Sequence, residues 1–183
     1  MKKTAAAVLA VILSFSMCIS VGADYTATDN TYVPRDINYS TREEAVSEFI
    51  KAVGIDTLKA DKEVLKRFSD GGKIAGVYTG AIAAAVEQGM VSGYEDNSFR
   101  PQAAISRSEA LVILNRILSA RTLPSKQQIT FDDTPEWARA DINRLSSAGI
   151  VKGYGDGTFG AADLLTSEQT AILAERAARL TGP

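Results

Sequence analysis

The chain has 183 residues, 45% of them apolar and 23% charged, enough to build an apolar core in one domain or in a few short repeats packed on each other. It contains no histidine and one cysteine, Cys18, which removes the usual neutral-pH general base and any disulfide framework. Its 20 basic and 22 acidic residues are interspersed rather than blocked, so a phosphate-backbone partner is not expected and nucleic acid is excluded.

Residues 1–23 read as a secretory signal peptide: a basic start at Lys2 and Lys3, an apolar run over 5–19, and small residues at Val21, Gly22 and Ala23. The run is shorter than the roughly 20 residues a spanning helix needs, and no later stretch is longer. The bulky Met17 before Cys18 argues against lipidation of that cysteine. An exported, soluble, cysteine-free mature chain is expected, with 18 basic against 22 acidic residues once Lys2 and Lys3 are gone.

After the leader, Asp29, Asn30 and Thr31 signal a turn, and Tyr32-Val33-Pro34 an extended piece, because the residue before proline is pushed out of the helical region. Thr41 followed by Glu44 is a capping box, and the helix it opens carries Ala45, Phe49, Ala52 and Val53 on one face and stops at Gly54. Residues 55–67 form a charged connector or short helix. A helix is predicted from about 78 to 89 with Ile82, Ala85 and Val86 inward, leading into a Gly93-Tyr94 turn. Ser106 to Glu109 is a second capping box, before Ala110, Ile113, Leu114, Ile117 and Leu118 at helical spacing. Residues 119–130 are a polar linker. Trp137, Ile142, Leu145 and Ala148 mark the next helix, and Thr166 to Gln169 is the third capping box.

These elements repeat. Residues 93–118 and 153–178 align with Gly93/Gly153, Tyr94/Tyr154, Asp96/Asp156, Phe99/Phe159, Ser106/Thr166 and Arg116/Arg176 in register. A partial copy stands at 29–34 and 40–45. A helix pair this small cannot cover its own apolar face, so the copies must pack together. The expected fold is mostly α: a helical repeat domain, a pseudo-threefold bundle of helix-turn-helix units with short extended turns. Its expected boundaries are 24–60 for a first, truncated copy without its leading helix, 61–123 for the second and 124–183 for the third.

Little in this inventory suits catalysis. Adjacent Asp132 and Asp133 do not make the separated carboxyl pair of a glycosidase, and one of them is expected to cap the helix before Trp137. The Glu95-Asp96-Asn97 and Gly155-Asp156-Gly157 turns lack the spaced acidic series of a calcium loop, so no metal or cofactor is expected. Arg42 and Arg107 are more informative. Each stands at the first position of a helix, where the macrodipole disfavours a cation by a few tenths of a kcal/mol. Either an anion binds there, held by free helix-start amides and the guanidinium together, or the arginine pairs with a neighbouring unit's Asp or Glu. Trp137 is a core residue or a ligand platform. Tyr94 and Tyr154 pin their turns, and Gly93 and Gly153 allow either a positive φ or close approach of another group.

The pattern carried by Phe131, Asp133, Trp137-Ala138, Gly149-Ile150, residues 153–159 and Ile105-Ser106-Arg107-Ser108-Glu109 resembles S-layer homology domains of bacterial cell-surface proteins. The resemblance implies a non-catalytic, three-unit module of the cell wall or cell surface that binds secondary cell-wall polysaccharide, commonly pyruvylated, in grooves between units. Each groove would take the arginine of one unit with the aspartate, tryptophan and glycine turn of the next. On that pattern Arg107, Asp133, Trp137, Gly153 and Tyr154 make one complete groove. Arg42, Asp70 and Gly93 make a weakened one in which Val77 replaces tryptophan, and Ser167 leaves the third without its arginine. A degenerate module that contacts an envelope protein without binding glycan is the alternative expectation.

Overall fold

A computed structural model describes residues 37–125 and 129–181; the signal peptide, Cys18 and the turn expected at 29–34 lie outside the described residues. Five α-helices occur among them: α1 (Arg42–Ala52), α2 (Gly76–Glu87), α3 (Arg107–Ile117), α4 (Glu136–Ser147) and α5 (Ser167–Thr181). Two short 3₁₀ turns, Lys62–Arg67 and Gly71–Lys73, fill the stretch before α2. No extended sheet forms among the described residues, only three isolated antiparallel bridges. The mostly helical bundle expected from the repeats is the fold observed.

The helix starts follow from the capping residues. The Glu44 amide donates to Thr41 Oγ1 at 3.4 Å and the Thr41 amide to Glu44 Oε2 at 2.8 Å. Ser106 with Glu109, and Thr166 with Gln169, repeat that reciprocal pair. Each such cap contributes about 1 kcal/mol to its helix. Helices α2 and α4 start differently. Neither Ala75 nor Pro135 supplies a side-chain cap, and the Ala75 amide instead donates at 2.9 Å to Glu43 Oε2, a buried carboxylate of α1. Helix α2 is thereby docked onto α1, as α4 is onto α3 through Asn115, Asp141 and Arg144.

The capped helices meet at a common centre. The Ser40 amide donates to Leu165 O at 2.9 Å, the Leu165 amide to Ile105 O at 3.1 Å, and the Ile105 amide to Ser40 O at 3.1 Å. These three bonds close a ring, and the position before each cap contributes one donor and one acceptor. A second set surrounds it: the amides of Arg42, Arg107 and Ser167 donate to Ala103 O, Asp163 O and Asn38 O at 2.9, 2.7 and 2.9 Å. The same rotation thus relates all three copies, which is the pseudo-threefold arrangement. Unlike an open solenoid, whose ends touch only one neighbour, this chain brings its third copy back onto its first.

Apolar side chains fill the space below the ring. Phe49, Phe99, Phe159, Ile82, Leu111, Leu114, Ile142 and Leu145 are fully buried, each stabilising by about 1.5–3 kcal/mol relative to exposure. The inward face expected of α1 through α4 is the buried face found, except that Ala52 and Val53 are only partly buried at the end of α1 and Trp137, 60% exposed, is not core. In each complete copy two aromatics meet, Phe68 with Phe99 and Phe131 with Phe159, at centroid separations of 5.4 and 5.2 Å.

The aspartate of each Phe-x-Asp segment has another duty than helix capping. Asp133 accepts from the amides of Phe159, Gly160 and Ala161, and Asp70 from those of Phe99 and Arg100. Burial pushes the Asp133 pKa up, but these backbone donors outweigh it and leave the carboxyl below its ordinary value. Neither member of the Asp132-Asp133 pair caps α4, as one of them was expected to: the helix start opens on proline, and Asp133 instead fastens the glycine-aromatic loop of its own copy. Gly93 and Gly153 are equally structural. A Cβ on Gly93 would lie 2.6 Å from Ser98 O and 2.7 Å from the Phe68 ring, and one on Gly153 would meet Thr158 O and the Phe131 ring.

Two outcomes are expected. Ser40→Pro removes the donor to Leu165 O and should destabilise the protein by about 1–3 kcal/mol in urea unfolding. Because the ring is cyclic, hydrogen exchange should quicken at Leu165 and Ser167, far along the chain. Gly153→Ala forces the Phe131 ring aside and should lower stability by about 1–3 kcal/mol by the same measurement, as overpacking does.

Candidate functional site

The first residue of α1 and of α3 is an arginine, and the ring decides what it can do. The Arg42 and Glu43 amides donate to Ala103 O and Pro101 O, and those of Arg107 and Ser108 to Asp163 O and Ala161 O. Free helix-start amides, expected to form half of an anion site, are therefore already used by the neighbouring copy. The guanidinium alone remains.

Its surroundings are equally unlike a salt bridge. Arg42 is 7% exposed and Arg107 9%. Arg42 Nη2 donates to Ser92 O at 3.1 Å, and Arg107 Nη2 to Lys152 O at 2.6 Å. Each cation lies against two rings: Arg42 Cζ is 4.8 Å from the Tyr94 centroid and 5.3 Å from that of Phe99, and Arg107 Cζ is 5.6 and 4.5 Å from those of Tyr154 and Phe159. Among the described residues neither makes an ion pair with a carboxylate, and the Nε of each is buried without a hydrogen-bond partner. Burial pulls the pKa of both below its ordinary value. A carbonyl, two ring faces and the field of carboxylates beyond ion-pair distance, Glu109 for Arg42 and Asp163 and Asp133 for Arg107, compensate each buried cation in part; an ion taken out of water without a direct counter-ion carries a penalty of several kcal/mol.

Arg42 opens on a cavity of about 770 Å³. Its walls are the 92–96 loop, Arg100, the Ser106 to Arg116 side of α3, and Trp137 of α4. Trp137 was expected beside Arg107. The structure places it in the wall of the Arg42 cavity, whose lining does not include Arg107. The reason lies in the rotation: α4 docks on α3, which forms the far wall of the Arg42 cavity, so its first turn faces the preceding copy's loop rather than its own. Val77, the counterpart of Trp137 on α2, is 77% exposed and does not line this cavity. Gly93, expected with Arg42, lines it together with Tyr94, which was not assigned to that groove, whereas Asp70 and Asp133 are committed to loop amides. Gly153 and Tyr154 stay with Arg107, and Ser167 occupies the third arginine position with its amide on Asn38 O.

Three further residues shape the cavity. The Tyr94 hydroxyl donates to Glu109 Oε1 at 2.6 Å, tying the loop to α3. Burial pushes the Glu109 carboxyl up, but hydrogen bonds from Tyr94 and Ser106 outweigh it and hold the pKa low. Arg116 Nη1 reaches Ser92 Oγ at 3.3 Å, so Ser92 holds two guanidinium groups; the repulsion of Arg116 lowers the Arg42 pKa by less than either Tyr94 or Glu109 raises it, and burial remains the largest cause of its depression. Arg100 lies 3.9 Å above the Tyr94 ring and pairs with Asp96 at 3.0 Å. Asp96 titrates at about 2, held there by the Ser98 hydroxyl and amide and then by Arg100. The register of Arg116 with Arg176 was visible in the repeat, but its approach to Arg42 was not. Arg100 stands where the third copy has Gly160, and that difference was its only signal.

With a buried, unpaired arginine, an exposed indole and a 770 Å³ opening, the Arg42 cavity is suited to a carboxylate-bearing ligand with an apolar face. The family model of the S-layer homology domain matches residues 67–111 and 130–171. The chain is 32% identical to cell surface glycoprotein 1 of Acetivibrio thermocellus over 149 residues, 75% of this chain and 6% of that protein. It is 32% identical over 127 residues to the cellulosome-anchoring protein of the same organism, 67% of this chain and 28% of that protein. An endoglucanase of Bacillus sp. (strain KSM-635) is 33% identical over 91 residues, 50% of this chain and 10% of the enzyme. The chain therefore spans less than a third of the length of each of these relatives. Its capped helices, glycine-aromatic loops and matching repeats are those of one family, and the chain belongs to the S-layer homology proteins.

Proposed function

We propose that this chain is a non-catalytic anchoring module of the bacterial cell surface, exported by the leader read at 1–23, and that it holds an acidic wall polysaccharide, pyruvylated in the simplest case, in the Arg42 cavity. One observation carries the reading: the guanidinium of Arg42 is nine-tenths buried, lacks a carboxylate partner among the described residues, and lies in the wall of an open cavity beside an exposed tryptophan. A cation kept in that state is short of an anion, and a ketal carboxylate supplies one bidentately. The Trp137 indole then covers the apolar face of the sugar ring. Arg107 keeps the same seat over Tyr154 and Phe159 and serves as the second anion contact, whereas Ser167 leaves the third without one. The units behind these seats run over 24–60, 61–123 and 124–183.

Relatives named for the cell surface and for anchoring support the module's place and task. The endoglucanase shares only a tenth of its length with this chain, which agrees with a module that accompanies a catalytic part rather than performs its chemistry.

The experiment is sedimentation of the protein with native and depyruvylated wall polymer. Arg42→Met should weaken retention on native polymer by about 10- to 100-fold, the worth of a charge-assisted contact. The same variant should leave the melting temperature unchanged or raised, because an apolar side chain replaces a buried charge that has no direct carboxylate partner among the described residues. Depyruvylated polymer should hold the unaltered protein no better than native polymer holds Arg42→Met. Equal retention of the two proteins on native polymer would reject the site and favour an envelope-protein partner instead.

A further inference from the structure

Arg100 is held in a backbone conformation that its side chain disfavours. Its φ is +57°, in the left-handed region, and Asn97 beside it has φ +59°. At the equivalent position of the third copy stands Gly160, with φ +75°. A Cβ there would run into Asp163 Oδ2 and lie 2.6 Å from the Tyr154 ring. The two loops thus solve one geometry in two ways. In the third copy the Tyr154 hydroxyl donates to Asp163 of its own loop. In the second, Ala103 replaces that aspartate and Tyr94 turns to Glu109, which clears room for a side chain at position 100.

The strained loop keeps Arg100 in one place. Its amide donates to Asp70 Oδ2 at 2.8 Å, its Nε to Ser98 Oγ at 3.1 Å and its Nη2 to Asp96 Oδ2 at 3.0 Å, with the guanidinium over Tyr94. Arg100 and Asp96 both line the cavity, and their side chains are 49% and 56% exposed. A donor and an acceptor therefore stand side by side, preorganised and reachable. Because the pair is neutral as a whole, it favours neutral hydroxyls over a second carboxylate: one hydroxyl accepts from Arg100 and its neighbour donates to Asp96. The volume of about 770 Å³ falls in the range of roughly 300–1,000 Å³ that encloses a ligand larger than one sugar ring.

We propose that Arg100 with Asp96 is a specificity determinant that reads the hydroxyl pair of a neutral sugar adjoining the acidic one, making the Arg42 cavity a disaccharide site, while the Arg107 seat takes the acidic sugar alone. The inference rests on the anionic-glycan reading given above. Its test is calorimetric titration of the full chain carrying Arg107→Met, so that only the Arg42 cavity is measured. Two probes are compared: the methyl glycoside of a pyruvate-ketal hexose, and the same sugar extended by one neutral hexose. The disaccharide should bind about tenfold more tightly. Arg100→Gly, which installs the residue that the sister loop already carries, should abolish that advantage, lower the monosaccharide affinity by a much smaller factor than the disaccharide affinity, and leave the melting temperature near its starting value. A disaccharide advantage that survives Arg100→Gly, or an equal loss for both probes, overturns the proposal. Failure of the starting protein to bind either probe overturns the anionic-glycan reading, and this inference with it.

Discussion

Three backbone hydrogen bonds, Ser40 to Leu165, Leu165 to Ile105 and Ile105 to Ser40, set the conditions under which the rest of this protein folds. A helix start leaves its first amides without partners, and side-chain caps satisfy only part of them. Here the carbonyls just before each neighbouring cap satisfy the remainder in rotation, so no copy is complete without the next. That closure makes a chain of short helix pairs into one unit. It also forces the three first-turn residues, Arg42, Arg107 and Ser167, into equivalent seats at the boundary between copies.

The functional consequence follows from what the closure removes. Once the amides of Arg42 and Arg107 are bonded across the boundary, the positive end of the helix has no donors left for an anion, and the guanidinium must act by itself. The same packing lays it against Tyr94 and Phe99, or Tyr154 and Phe159, and points one nitrogen at a turn carbonyl. Ring faces and a carbonyl hold the side chain in position without neutralising it. A carboxylate in the same place would have offset the buried charge and erased the site.

Much of this architecture could be read from residues alone, and the limits of that reading are physical. Capping boxes are local, so Thr41, Ser106 and Thr166 announced their helices, and the 3.6-residue period of Phe49 or Ile113 and Leu114 announced the inward faces. The ring was not legible because its bonds are between backbone groups, which every residue carries. The partition of Trp137 went wrong for a related reason. Repeat register shows that Trp137 corresponds to Val77, but not which neighbour's loop that position faces, because that depends on the rotation between copies. The cap expected from one of Asp132 and Asp133 is absent because sequence proximity to α4 says nothing of the three loop amides that Asp133 reaches in space.

The two complete loops show how much chemistry a shared backbone leaves free. Both tie a Phe-x-Asp aspartate to the amides after a phenylalanine, both pack a glycine against a ring, and both place a tyrosine beside an arginine. They differ in where that tyrosine's hydroxyl goes. When it bonds to Asp163 in its own loop, the acceptor fills the space next to position 160 and only glycine fits. When it bonds to Glu109, on the helix that follows within the same copy, the same space admits Arg100 and the loop is fastened to α3. One hydrogen bond redirected from the loop itself to the helix that follows it thus separates the Arg107 seat, beside Gly160, from the Arg42 seat, beside Arg100, and the repeat can vary its sites without disturbing the ring that holds it together.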